Sequence, residues 1–371
     1  MWYPAALLLF ALMQTPDYSA EGLKALDGGN YAAATEQLSK AVAADPKDYA
    51  AHFNLALANS LLGKDTEAIA GYRTVLELKP GLYQAELNLG IVLIRAKQAP
   101  EALPLLEAAV QEKPKELQPN LQLAETLLAV GDLARAEQYY KASADLDPSL
   151  KDALLKVAVA YEHAGQAPQA TEIYAQFPEN VAARERAGEL LIEAGKPAEA
   201  APHLEFAVGK SPTPANRVAL ATAYLRTNQA EKAAEQLRQA AEVDPRNFEL
   251  HMRYGRVVRD LKKYPAAGAE FMRATEIKPD SIDAWNELVS MLVLTQDFPR
   301  ALAGLDRVRQ LGGEMPSHFY LRAIMLDKMK QLQPALDNYR KFLTLANGKF
   351  PDEEFKARQR ARILAGELGK K

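Results

Sequence analysis

Proline residues recur at a fixed interval along this chain, and the interval strongly constrains the fold. The prolines of Asp45-Pro46, Lys79-Pro80, Lys113-Pro114 and Asp147-Pro148 are 34 residues apart, and the pattern resumes at Pro178, Pro212, Pro245 and Pro279. Within one period, residues 49–82, two amphipathic helices meet at Gly63-Lys64-Asp65, and Pro80 ends the second helix. A fixed period of this length indicates a solenoid built from helical repeats.

Small residues occupy two fixed positions of the repeat. The eighth position is glycine at Gly22, Gly90, Gly188 and Gly255 and alanine in most other repeats. A bulky side chain there would overpack the helix pair, at about 1–3 kcal/mol per site. The twentieth position is alanine ten times, at Ala34, Ala68, Ala102, Ala136, Ala170, Ala200, Ala233, Ala267, Ala301 and Ala335. In this register the chain resembles the tetratricopeptide repeat (TPR) family over about residues 15–347.

The resemblance implies an all-α fold, a right-handed TPR superhelical solenoid of about ten helix-turn-helix repeats with a C-terminal capping helix. Residues 15–180 are expected to form repeats 1–5, and residues 181–348 repeats 6–10. Residues 349–371 are expected to form the capping helix and tail, with Phe355, Ile363 and Leu368 on its apolar side.

The fifth repeat is irregular. It is 30 residues long, four short of the period, and four residues are about one helical turn. We therefore expect its second helix, residues 168–177, to be one turn short. We also expect residues 176–180 to mark a junction between two sub-arrays that a protease cuts first.

The N-terminus carries an apolar run of nine residues, from Ala5 to Met13. This run is too short to span a bilayer and has the length of a signal-peptide core. No lysine or arginine precedes it, and an apolar segment that caps the first repeat is the alternative. If residues 1–14 are an export signal, the protein is periplasmic or secreted. If they are the capping segment, it is cytoplasmic.

Composition excludes several classes of function. The net charge is −3, from 45 basic and 48 acidic residues, so the chain lacks the basic character of a nucleic-acid binder. There is no cysteine, and none of the five histidines pairs at a spacing of four residues. His52 and His251 stand at the fourth position of the repeat, where the family has packing aromatics. This position favours a core or semi-buried imidazole over a metal ligand. No motif for catalysis, a cofactor or a metal is present, so we expect a non-catalytic chain without them.

In TPR proteins the first helix of each repeat lines a concave groove that holds a partner. By that resemblance, Arg253, Arg256 and Arg259 form a basic stripe in repeat 8, at a spacing of three residues. Glu185, Glu189 and Glu193 form an acidic ridge in repeat 6. Such charges suit an extended charged ligand. The alternative is a solvated face that only keeps the solenoid soluble.

Amides form a second candidate site. Asn54 and Asn88 both stand at the sixth position of their repeats, and Gln122 follows in the next. They resemble the asparagine ladder of some TPR arrays, in which each amide bonds one peptide unit of the ligand. Hydrogen bonding within the array is the alternative.

The predicted function is a non-catalytic scaffold that binds a protein or peptide in its groove, at the cell envelope and without a membrane span of its own. A peripheral association with the envelope fits this prediction. The alternative is a cytoplasmic regulatory or targeting subunit of a separate enzyme complex. The identity of the partner is beyond the sequence.

Overall fold

The computed structural model describes residues 17–369, and helices joined by short turns account for nearly all of them. The α-helices are α1 (Tyr18–Asp27), α2 (Tyr31–Ala44), α3 (Tyr49–Leu61), α4 (Asp65–Leu78), α5 (Tyr83–Arg95), α6 (Ala99–Glu112), α7 (Leu117–Val130), α8 (Leu133–Leu146), α9 (Leu154–His163), α10 (Ala167–Tyr174), α11 (Val181–Glu193), α12 (Pro197–Lys210), α13 (Pro214–Arg226), α14 (Ala230–Val243), α15 (Phe248–Asp260), α16 (Tyr264–Ile277), α17 (Ile282–Leu294), α18 (Phe298–Gln310), α19 (Pro316–Lys328), α20 (Leu332–Ala346) and α21 (Pro351–Leu368). A 3₁₀ helix, Pro148–Ala153, precedes α9. No strand occurs in residues 17–369, which confirms the predicted all-α fold.

The helices pair in chain order. α1 packs on α2, α3 on α4, α5 on α6 and α7 on α8; from α11 onward each odd-numbered helix up to α19 packs on the next, and α21 packs on α20. α9 and α10 follow each other through a hydrogen-bonded turn at Gly165. Each pair is one repeat with a first and a second helix. The ten pairs among the described residues agree with the predicted number of repeats.

Each repeat turns between its helices on one residue with a left-handed backbone. In five repeats this residue is a glycine, such as Gly63 with a φ of +73°. In the other five it is Lys97, Asn228, Lys262, Gln296 or Lys330, each with a φ near +60°. The turn between α3 and α4 shows the pattern. The N–H of Gly63 donates to the carbonyl of Ser60 at 3.1 Å, and the N–H of Lys64 donates to the carbonyl of Asn59 at 2.9 Å. These bonds satisfy the last carbonyls of the first helix.

Small residues lie where the two helices of a repeat cross. A Cβ added at Gly90 would lie 2.7 Å from Leu106 Cγ, and one at Gly188 would lie 2.5 Å from Leu204 Cγ. All ten alanines at the twentieth position are fully buried. These contacts agree with the predicted small side chains at the crossing. The exception is the eighth position of repeat 9, where the buried Val289 faces Gly304 on the partner helix.

Contacts divide the chain into two compact units, one that ends at Ile173 and one that begins at Tyr174. We call them the N-terminal unit and the C-terminal unit. Each has its own buried core: one core cluster joins α3 to α8, and another joins α11 to α19. The boundary expected at residue 180 and the protease-sensitive junction at residues 176–180 stay predictions.

The second helix of the fifth repeat is shorter than the sequence predicts. α10 has eight residues and ends at Tyr174, three residues before the expected end at Phe177. The N–H of Phe177 donates to the carbonyl of Tyr174 at 3.0 Å, and the side chain of Phe177 is buried. Pro178 also disfavours a helical backbone at the residue before it. These two restraints end the helix early.

The terminal helix α21 packs through a face other than the predicted one. Phe355 and Ile363 are 63% and 50% exposed, so the prediction that they lie on the packed side was wrong. Leu368 does pack against the neighbouring core. The packed side chains recur every three or four residues, at Glu354, Ala357, Ala361, Leu364 and Leu368. This spacing follows one side of an α-helix, and Phe355 and Ile363 each stand one position away from it.

Candidate functional site

The first helices and the second helices form two layers in each unit. First helices of successive repeats contact each other directly, as α3 and α5 do in the N-terminal unit and α11 and α13 in the C-terminal unit. We call the surface of the first helices the first-helix face, and that of the second helices the second-helix face. Every residue predicted to line the groove lies on the first helix of its repeat.

The three predicted arginines lie together on α15, and each is already paired with a carboxylate. Arg256 Nη2 lies 2.5 Å from Asp283 Oδ2, and Arg259 Nη1 lies 2.6 Å from Glu287 Oε2. Both carboxylates belong to α17, so these pairs connect repeats 8 and 9. Among the described residues, Arg253 pairs only with Glu249, which is exposed and lies one turn earlier on α15, at 2.8 Å. An arriving carboxylate would therefore meet the least competition at Arg253.

The predicted acidic ridge also takes part in contacts between repeats. Glu185 Oε1 accepts a hydrogen bond from Nδ2 of the buried Asn216 at 2.5 Å, which connects α11 to α13. Glu189 pairs with Arg186 on its own helix. Glu193 is exposed and makes no ion pair with another described residue. The ridge is therefore partly a structural contact, and sequence reasoning missed Asn216.

The three amides stand at equivalent places on α3, α5 and α7 and are all half-buried. The side chains of Asn54 and Gln122 make no hydrogen bond within residues 17–369. Asn88 lies against the hydroxyl of Tyr72; burial raises the pKa of Tyr72 to about 12, and Asn88 opposes that shift. Asn54 lines a cavity of about 190 Å³ together with Phe53 and Leu82.

A pocket of about 240 Å³ opens beside the arginines, between α13 and α15. Its apolar lining consists of Val218, Ala221, Leu225, Leu237 and Val257. Arg253, Arg256, Thr222 and Asp260 complete it. Leu225 is 41% exposed, so part of this apolar surface faces solvent. The pocket has room for one bulky side chain, with guanidinium groups beside it.

The fourth position of the repeat has a structural role. His52 Nε2 lies 3.1 Å from the carbonyl of Pro46, and His251 Nε2 lies 3.1 Å from that of Pro245. The same bond is made by Asn120 Nδ2 to Pro114 at 3.0 Å and by Trp285 Nε1 to Pro279 at 3.0 Å. A polar N–H at this position thus holds the carbonyl that closes the previous repeat. His251 is buried and His52 is half-buried, which agrees with the predicted core or semi-buried imidazoles.

Two further features bear on function. Within residues 17–369, no group of three or more histidine, aspartate or glutamate side chains is placed to hold a metal ion. Among the same residues, no helix combines the length and the apolar character that crossing a bilayer requires.

Sequence matches to the tetratricopeptide repeat family cover residues 19–83, 66–116, 93–142, 121–176 and 218–282, more than half of the chain. The chain belongs to this family. TPR proteins are generally non-catalytic scaffolds that bind other proteins.

No curated protein matches this chain. Among solved structures, that of Naa15/Naa10 bound to HypK-THB superimposes with a TM-score of 0.50 at 13% identity, over 95% of this chain and 79% of that chain. A tetratricopeptide repeat protein from Parabacteroides merdae gives a TM-score of 0.38 at 19% identity, over 61% and 91% of the two chains. MamA from Desulfovibrio magneticus RS-1 gives 0.35 at 20% identity, over 52% and 95%. The first similarity shows a shared fold.

Proposed function

We propose that this chain is a non-catalytic scaffold that binds a segment of a partner protein on the first-helix face of its C-terminal unit. The observation that carries the proposal is the pocket between α13 and α15. It combines exposed apolar surface at Leu225 with the guanidinium of Arg253, whose own ion pair is exposed. Binding energy at protein interfaces is concentrated in a few anchors that fill such pockets.

The pocket favours a partner segment with a bulky apolar side chain and a nearby carboxylate. The apolar side chain would cover Leu225 and Val257, and removing this surface from water favours binding. The carboxylate would pair with Arg253, because Arg256 and Arg259 are already held by α17. Charge complementarity of this kind sets the register of the partner more than it raises affinity.

Affinity capture from native cells tests the proposal with a matched pair of variants. Leu225→Asp places a charge in the pocket, and Val243→Asp places one at the end of α14 in the same repeat. Leu225 is 41% exposed and Val243 61%, so neither change buries a charge. We expect wild type and Val243→Asp to capture the same partner, and Leu225→Asp to lose it.

The control for folding is that wild type and both variants have the same helix content and the same melting temperature. A partner that Leu225→Asp retains at wild-type affinity would contradict the proposed site. A combined change of Arg253, Arg256 and Arg259 is a weaker test, because it would leave the half-buried Glu287, only 15% exposed, without its cationic partners. The single change Arg253→Glu avoids this and is expected to weaken binding without loss of stability.

We further propose that the protein acts at the cell envelope, with residues 1–14 as its export signal. The support is the apolar run from Ala5 to Met13 directly before the first repeat. These residues lie outside the described part of the chain. The mass of the N-terminal peptide of natively purified protein is the test: cleavage near Gln14 is expected, and an intact Met1 would favour the cytoplasmic alternative.

A further inference from the structure

A cleft of about 660 Å³ opens on the second-helix face of the C-terminal unit, between α14 and α16. His251 and Tyr254 of α15 line it between these two helices. Successive residues of an α-helix are about 100° apart, so His251 and Arg253 point to nearly opposite sides of α15. The cleft is therefore distinct from the pocket on the first-helix face.

A buried hydrogen-bonded pair fixes this lining. His251 Nδ1 lies 2.6 Å from Glu270 Oε2, and His251 Nε2 lies 3.1 Å from the carbonyl of Pro245. Both ring nitrogens thus face an oxygen and are not available to a ligand. The other oxygen of Glu270 lies 3.4 Å from Arg273 Nη1. The wall of the cleft is in this way held in place before anything binds.

Acidic groups outnumber basic ones around the cleft. The carboxylates of Glu242, Glu270 and Glu276 line it against the guanidinium groups of Arg238 and Arg273. Arg238 is held by Glu242 at 2.5 Å, and Arg273 faces Glu270. Glu276 is exposed and makes no ion pair with any other residue in the range 17–369. The cleft therefore offers one carboxylate whose charge is unbalanced.

Tyr254 is half-buried in the lining of the cleft, beside carboxylates of the same lining. Burial raises the pKa of this half-buried tyrosine, and the carboxylate of Glu270 raises it further, while Arg238 opposes the shift. The carboxylates of Glu270 and Glu242 thus act on the phenol in one direction and the guanidinium of Arg238 in the other. The ring also presents a π face, which attracts a cation. The aromatic face of Tyr254 and the unpaired carboxylate of Glu276 line the same cleft, and together they suit a cationic side chain.

We propose that this cleft binds a basic segment of a second protein partner, with a lysine or arginine side chain over Tyr254 and in an ion pair with Glu276. Charge complementarity selects this occupant, and a volume of about 660 Å³ leaves room for the flanking residues of the segment. The scaffold then holds two partners on opposite faces of repeats 7 and 8. This site does not depend on binding at the first-helix face.

Fluorescence anisotropy with the full chain tests the proposal. The probe is a fluorescein-labelled peptide amide with two arginines separated by glycines, and its counterpart carries citrulline, which has nearly the same shape without the charge. We expect the arginine peptide to bind and the citrulline peptide not to bind. Glu276→Gln with Tyr254→Leu is expected to weaken binding about three- to thirty-fold, from the loss of one ion pair and one cation–π contact.

Glu231→Gln on α14 is the matched control, because Glu231 is exposed and also lacks an ion pair among the described residues. We expect it, and Leu225→Asp on the other face, to leave the affinity within about twofold of wild type, since each lies outside the proposed contacts. Equal binding of the citrulline peptide would overturn the proposal. An unchanged affinity of the double variant, or an equal loss in Glu231→Gln, would also overturn it, because the attraction would then be general and not located in the cleft.

Discussion

A matched pair of glycine-to-alanine changes tests the close helix crossing in repeat 6. Gly188 on α11 faces Leu204, and a Cβ added there would lie 2.5 Å from Leu204 Cγ and 2.7 Å from Cδ2. A Cβ added at Gly209 on α12 would meet open space: within residues 17–369, no atom outside its chain neighbours and the local helix backbone lies within 4 Å. The two positions belong to the same helix pair and differ chiefly in the space around them.

The two substitutions are expected to change the free energy of unfolding in opposite directions. Alanine in place of glycine favours a helix by about 1 kcal/mol, and Gly209→Ala is expected to gain up to that amount. Gly188→Ala has the same gain, but Leu204 is fully buried and cannot move away freely. Overpacking of this kind costs about 1–3 kcal/mol, so we expect a net loss of up to about 2 kcal/mol. The difference between the two variants is then about 1–3 kcal/mol.

Urea unfolding followed by far-UV circular dichroism measures this difference. Repeat arrays can depart from two-state unfolding, so the midpoints of variants with equal slopes are the quantity to compare. We expect the midpoint of Gly188→Ala to fall below wild type and that of Gly209→Ala to equal or exceed it. A midpoint for Gly188→Ala at or above that of Gly209→Ala would refute the reasoning about the crossing.

Four other predictions follow from local features of the chain. Gly63→Ala is expected to lower the free energy of unfolding by about 1 kcal/mol, because a φ of +73° is strained for alanine, and an unchanged urea midpoint would contradict this. Arg259→Leu deprives the half-buried Glu287 of its closest partner and is expected to lower the free energy of unfolding by about 1 kcal/mol. A double-mutant cycle with Glu287→Gln measures the coupling between the two side chains, and a coupling of zero would contradict the prediction. Burial lowers the pKa of His318, so the unfolded chain binds the proton more tightly than the folded chain. Stability is therefore expected to fall as the pH drops below about 6.5. The melting temperature of His318→Gln should depend less on pH in this range than that of wild type. Limited proteolysis is expected to cut within residues 176–180 before it cuts inside other repeats, and uniform resistance would argue against a junction there.

Much of the fold was predictable because helix crossings restrict side-chain size. At Gly188 and at the fully buried Ala200 a larger side chain would clash, and this restriction recurs in the sequence with a fixed period. The number of repeats and the pairing of helices follow from that period. The packed face of α21 did not follow, because Phe355 and Ile363 are as apolar as the buried Leu364 and nothing in the sequence ranks the two sides of the helix.

The candidate site was predictable only in part. The sequence shows that Arg253, Arg256 and Arg259 share one side of α15, but it does not show what the next first helix presents to them. Asp283 and Glu287 on α17 hold two of the three arginines. Apolar pocket residues such as Leu225 carry the same signature as core residues, so exposure had to come from the structure.

The most direct test of the proposed binding site is hydroxyl-radical footprinting of the purified chain with its captured partner. Leu225 is 41% exposed and Val243 is 61% exposed, so both side chains are oxidised in the free protein. If the partner occupies the pocket between α13 and α15, its binding lowers the oxidation of Leu225 and leaves that of Val243 unchanged. Unchanged oxidation of Leu225 at a saturating concentration of the partner would contradict binding on the first-helix face of the C-terminal unit.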